Sequence, residues 1–170
     1  MLRAAFASLA LCPAIAAAGS CPWLSDEDAA LAIALRPTEV RVEKIPVFPN
    51  KQELLSSTRC RFADAKEFFG HLSVTVMYYG SYDAATAAYQ QELADAAAHA
   101  NPAMIDATPA FAVEEPGASM KSYAVKERNF VIVTHVFSRR VKEAIGGGPG
   151  KGLLSTHEVV RRVLAKLQDG

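Results

Sequence analysis

Past its first twenty residues this 170-residue chain has no uninterrupted apolar run near the roughly twenty residues that a membrane-crossing helix needs. No membrane span is therefore expected in the rest. An excess of either charge is missing too, since 18 Lys and Arg balance 18 Asp and Glu. Nucleic acid is recognised through a basic surface that neutralises phosphates, so it is not an expected partner. Neither Gly-x-Ser-x-Gly nor Ser-x-x-Lys occurs, which removes two common routes to an activated serine. There is no His-x-His, no methionine-rich segment and no paired Cys/His spacing, the ligand patterns by which metal sites are read. The one motif that looks catalytic is incomplete. The run Ile145-Gly-Gly-Gly-Pro-Gly-Lys-Gly152 puts Ile145 where a phosphate loop needs its first Gly and Gly152 where it needs a hydroxyl. Residues 146–152 read instead as a flexible connector with free backbone angles.

What the chain does have begins at its N terminus. Arg3, an apolar stretch of about fourteen residues interrupted by Pro13, and the small series Ala16-Ala17-Ala18 compose a secretory signal peptide over residues 1–20, too short to remain as a span. Cleavage after Ala18 or Ser20 leaves residues 21–170, a length suited to a single domain in the periplasm or the medium. Of the three cysteines, Cys12 leaves with the leader and Cys21 and Cys60 remain. An even pair in an exported chain implies a disulfide. A lipid anchor on Cys21 is the competing reading, but Ala18 stands where a lipobox usually carries Leu, and lipidation would leave Cys60 as a free thiol.

The remaining pattern alternates helices with runs of strands. Ser25 followed by Asp26, Glu27 and Asp28 starts a helix that Pro37 stops. Residues 40–48 read as an edge strand because of Pro46 and Pro49, and 71–79 as the clearest strand, with Leu72, Val74, Val76 and Tyr78 on one face. A hairpin partner begins at Cys60. An alanine-rich helix follows from Tyr82 to Ala100, then three strands over 110–114, 119–126 and 129–137. Ser155 and Glu158 form a capping box for a last helix that buries Val160, Val163, Leu164 and Leu167. The expected fold is α+β: an antiparallel sheet of about five strands, covered by helices on one face. Its two halves, each a helix followed by strands, suggest a repeat without establishing one.

Cys21-Pro22-Trp23-Leu24-Ser25 opening an acidic-capped helix, Cys60 two residues before Phe62, the strand Arg128-Asn129-Phe130-Val131-Ile132-Val133 and the terminal amphipathic helix together resemble small exported domains of actinobacterial cysteine-paired lipoproteins. Those domains are similar in turn to extracytoplasmic sensor domains of bacterial serine/threonine kinases. The resemblance implies a disulfide-linked α+β domain that binds a ligand or partner, with no established reaction. The chain departs from it in lacking a good lipobox and in the glycine-free Thr108-Pro109-Ala110-Phe111-Ala112.

Candidate chemistry is sparse. His71 and His135 each fall in a strand, and with Met77 near them they would suit copper if the two strands pair in the right register. Ser155 and His157 are close in sequence, but capping already explains Ser155, and two positions apart on a helix start they point in different directions. The acidic groups Asp26–Asp28 and Glu114–Glu115 read as a helix cap and solvated surface, and Arg139-Arg140-Val141-Lys142 as a solvated loop. The sheet face opposite the helices is expected to carry His71, Thr75, Met77 and Tyr79, joined by His135 and Phe137. That set fits a recognition surface, and equally an ordinary half-solvated sheet face. The leading expectation is an exported, non-enzymatic binding or interaction domain that uses no cofactor and meets an envelope protein or small ligand. Copper handling and envelope hydrolysis are the alternatives.

Overall fold

A computed structural model describes residues 20–34, 36–48, 53–64, 71–105, 109–115, 119–136 and 154–167. The leader up to residue 19, Phe137, the basic run 139–142 and the glycine-rich connector 146–152 lie outside the described residues.

Helix α1 (Asp26–Ile33) starts where the Ser25 hydroxyl accepts from the Asp28 N–H at 3.0 Å. It ends on Ala34 in the left-handed region at φ 55°, three residues before the expected stop at Pro37. Strands β1 (Glu39–Ile45), β2 (Leu54–Ala63) and β3 (His71–Tyr79) follow as an antiparallel meander. Ser81 then caps α2 (Tyr82–His99), accepting from the Ala84 N–H at 3.2 Å. A second meander runs through β4 (Ala103–Met104), β5 (Ala110–Glu115), β6 (Ser119–Lys126) and β7 (Asn129–Val136). Helix α3 (Thr156–Lys166) closes the described chain, capped by Ser155. Only half of the expected capping box forms: the Ser155 hydroxyl accepts from the Glu158 N–H, while the Glu158 carboxylate engages Arg161 and Arg162.

The meanders join through β3 and β7 into one antiparallel sheet of order β1-β2-β3-β7-β6-β5-β4. The α+β class holds, with seven strands where about five were expected. Part of the difference is β4, whose two residues are too short to carry a period-two signal. No described helix is long and apolar enough to cross a membrane.

The helices do not share one face, which corrects the expected layering. Because side chains alternate along a strand and paired residues share a face, the register divides the sheet cleanly. On the first face lie Cys60 and Phe62 of β2, Leu72, Val74 and Val76 of β3, Val131 and Val133 of β7, and Ala110, Ala112 and Ala124. Against them pack Ala29, Ala32 and Ile33 of α1 and Val159, Val160, Val163 and Leu164 of α3. On the second face lie Tyr79, Phe111, Tyr123, Val125 and Phe130, and these pack against Ala85 and Tyr89 of α2. The two halves are therefore not copies. A two-fold axis through the sheet between antiparallel β3 and β7 would put α1 and α2 on the same side, and they lie on opposite sides.

The first face is also fastened covalently. Cys21 and Cys60 form the expected disulfide, with Cα atoms 5.7 Å apart, tying the start of α1 to the middle of β2. Polar contacts lock α1 to α3: Arg162 pairs with Asp28, and the Leu154 N–H donates to the Leu31 carbonyl at 3.1 Å. Lys126 reaches from β6 to donate to the Leu164 carbonyl at 2.9 Å and the Leu167 carbonyl at 3.5 Å, satisfying acceptors that the end of α3 leaves open.

Candidate functional site

Helix α2 covers only part of the second face. It seals the end of the sheet near the β6–β7 turn, where Phe111 stacks on Tyr123 at 4.6 Å between centroids and meets the edge of Tyr89 at 5.4 Å. Met77, Val113 and Ile132 pack at the margin of this cluster. The short alanines Ala84, Ala85, Ala88 and Ala96 let the helix lie close over the aromatic rings.

Toward the other end of β1, β2 and β3 the same face changes character. One cross-strand row runs Arg41, Arg61, Ser73, Thr134 and Lys121 over five neighbouring strands. The row on one side begins Glu43, Arg59, Thr75, and the row on the other begins Glu39, Ala63, His71. Arg41, Arg59 and Arg61 are exposed, and Ser73, Thr134 and His71 half-buried. Guanidinium groups and hydroxyls thus occupy an area that α2 does not seal.

The charges on this area are unevenly matched. Glu39 forms an ion pair with Arg41. Arg59, itself exposed, donates from Nε to the Thr75 hydroxyl at 3.3 Å, which steadies the guanidinium. Among the described residues no carboxylate closes on Arg59 or Arg61. Burial, and then the charge of Arg61, lower the pKa of His71 from its ordinary value, so this imidazole is neutral at pH 7 beside a guanidinium. Its Nδ1 is buried and has no hydrogen-bond partner among the described residues.

The expected recognition set is only partly brought together. His71, Thr75, Met77 and Tyr79 do share the second face, but Tyr79 and Thr75 are buried and α2 shields Met77, so of the four only the half-buried His71 belongs to the open end. Phe137 lies outside the described residues. His135 is on the other face: it pairs with Leu72, while His71 pairs with Val136. The two imidazoles are therefore separated by the sheet and cannot share a copper ion, whatever Met77 contributes. The register was hidden because β7 buries apolar residues on both faces, Phe130 and Ile132 on one and Val131 and Val133 on the other, so its sequence shows no alternation. A one-residue slip then moves every side chain across the sheet.

His135 is fully buried beneath α3, its Nδ1 2.6 Å from the Thr156 hydroxyl. Burial lowers its pKa to about 4, making it a neutral core group rather than an accessible base. Ser155, the alternative nucleophile, spends its hydroxyl on the Glu158 N–H. Among the described residues no group of three or more His, Cys, Asp or Glu side chains converges as a metal site would require.

The arginines were missed in the sequence although a signal existed. Once Cys60 is taken as a buried disulfide partner, period two places Arg59 and Arg61 on the opposite face, and the stretch Arg59-Cys60-Arg61-Phe62 reads as charge out, apolar in. A depression of about 420 Å³ opens between Tyr82, Pro109, Val125, Lys126 and Leu164 at the other end of the sheet. It is shallow, and Lys126 there is already engaged with α3.

No protein-family model matches the chain, and no curated protein is significantly similar to it in sequence. The functional reading therefore rests on the residues themselves.

Proposed function

We propose that the protein is exported through its N-terminal leader to the periplasm or the medium, where it acts as a non-enzymatic binding or interaction domain whose contact surface is the open end of the second sheet face. One observation carries the reading. From Cys60 to Val76 the first face is covered by two helices and fastened by a disulfide, whereas on the second face, among the described residues, the part beyond α2 carries the exposed Arg41, Arg59 and Arg61 and the half-buried Ser73 and Thr134. The Cys21–Cys60 disulfide supports export, because such bonds persist in oxidising compartments. Neither copper handling nor hydrolysis gains a specific observation.

Site-directed photo-crosslinking in the native host tests this directly. A photoreactive residue at Ser73 should give a discrete adduct in the periplasmic or secreted fraction, and the same residue at Arg161, on the exposed side of α3, should not. Equal labelling at both positions, or a protein held in the cytoplasm with reduced Cys21 and Cys60, would remove the proposal.

A further inference from the structure

We infer that Arg59 and Arg61 receive the carboxylates of an acidic segment of a partner protein, laid in extended form along β2 on the second sheet face. This deepens the binding reading above and rests on it.

The two arginines are two residues apart on one strand, which separates them by roughly 6.6 Å along β2. An extended segment with acidic residues at alternate positions presents carboxylates at the same interval, so each guanidinium can meet one. Arginine suits this because its planar fork binds a carboxylate through two parallel hydrogen bonds. A carboxylate already meets a guanidinium on this surface, where Glu39 Oε1 sits on Arg41, the cross-strand neighbour of Arg61. The row that carries Arg61 supplies further donors to a bound segment: the hydroxyl of Ser73 beside it, and that of Thr134 beyond.

The shape also favours a segment over a globular partner. Three steps from β1 to β7 span about 15 Å, and the three rows from Glu39 to Glu43 about 13 Å along the strands. That footprint is a few hundred Å², well below the roughly 800 Å² per side of a standard protein interface. It accommodates a strand of four or five residues. Glu39 and Glu43 on the outer strand bound the site and would repel an acidic segment that drifted onto β1.

Fluorescence anisotropy tests the inference, with the full-length protein and a labelled ten-residue peptide of alternating Glu and Ser. Saturable binding is expected in low salt. It should weaken as salt rises, because the contacts are exposed charges, and the Gln-for-Glu peptide should not bind. The double variant Arg59→Gln/Arg61→Gln should lose about tenfold or more in affinity while melting at nearly the wild-type temperature, and Arg161→Gln should bind as wild type. Absence of saturable binding to the acidic peptide, or binding unchanged in the double variant, would overturn the proposal. So would arginine-dependent binding to phosphatidylglycerol vesicles without binding to the peptide, since the surface would then be reading phosphate. If the Ser73 crosslink persists while the peptide fails, the binding role stands and the acidic ligand falls.

Discussion

The two faces of this sheet use one set of strands for opposite ends. On the first face Cys60, Phe62, Leu72, Val74, Val76, Val131 and Val133 pack with α1, α3 and the disulfide, and His135, buried on the same face with its Nδ1 on Thr156, is kept neutral by burial. On the second, α2 covers an aromatic cluster and stops short of the rows carrying Arg41, Arg59 and Arg61. Stability is therefore concentrated on one side, and the freedom to expose charge on part of the other follows from it. Arg59 and Arg61 flank Cys60 in sequence and lie on the opposite face, so the covalent fastening and two exposed cations occupy three consecutive residues.

The largest expected break in this comparison comes from Phe62, fully buried on the first face and adjacent in sequence to exposed Arg61. Phe62→Ala removes a large side chain from a packed site and should cost about 3–5 kcal/mol. Arg61→Gln should change stability by no more than about 0.5 kcal/mol. Urea unfolding of both variants checks the pair, and comparable losses would mean that the faces share the load.

Next comes the covalent staple. Replacing both cysteines, Cys21→Ser with Cys60→Ser, releases a loop closed over a sequence separation of 39 and should cost about 2–4 kcal/mol. The double replacement avoids leaving a lone thiol in the core. A melting temperature unchanged from wild type would show that helix packing alone secures the first face.

Acid should act through the same face. With the folded pKa of His135 at about 4 and its unfolded value near 6.5, the unfolded chain binds a proton between those values that the native protein refuses. Stability is then full above about pH 6.5 and falls as pH drops toward 4, by roughly 3 kcal/mol across the window. His71 is shifted in the same direction but is half-exposed, so His135 should dominate. Denaturant unfolding at pH 7.5 and 4.5 measures the difference, and a His135→Leu variant should flatten it.

Much of this fold could be read from the chain because its signals are local. Strand β3 was bounded at His71 and Tyr79 by its own alternation, α2 by alanine propensity up to Asn101-Pro102, and α3 by Ser155 and its apolar stripe. The disulfide followed from cysteine parity. What escaped was non-local. Which face α2 covers depends on the chain crossing the sheet after β3, and no single segment encodes that. The register of β7 depends on its pairing with β3 and on the two-residue turn at Glu127-Arg128, since its own residues are apolar on both sides. The site depends on that register: it separates His135 from His71 and leaves Arg59 and Arg61 opposite Cys60 on the other face.

The smallest contrast compares one hydroxyl on each face. Thr156 and Thr75 are both buried, and each touches a nitrogen: His135 Nδ1 at 2.6 Å from Thr156, and Arg59 Nε at 3.3 Å from Thr75. Valine replaces threonine with little change in shape, so the difference lies in the partner left behind. At Thr156 that partner is a fully buried imidazole with no access to water, and Thr156→Val should cost about 1–3 kcal/mol. At Thr75 the guanidinium is exposed and rehydrates, so Thr75→Val should be neutral within about 0.5 kcal/mol. Equilibrium unfolding separates the two. Should Thr75→Val prove as costly as Thr156→Val, the Arg59 contact would be part of the structural core, and the second face would be less open than its exposed arginines imply.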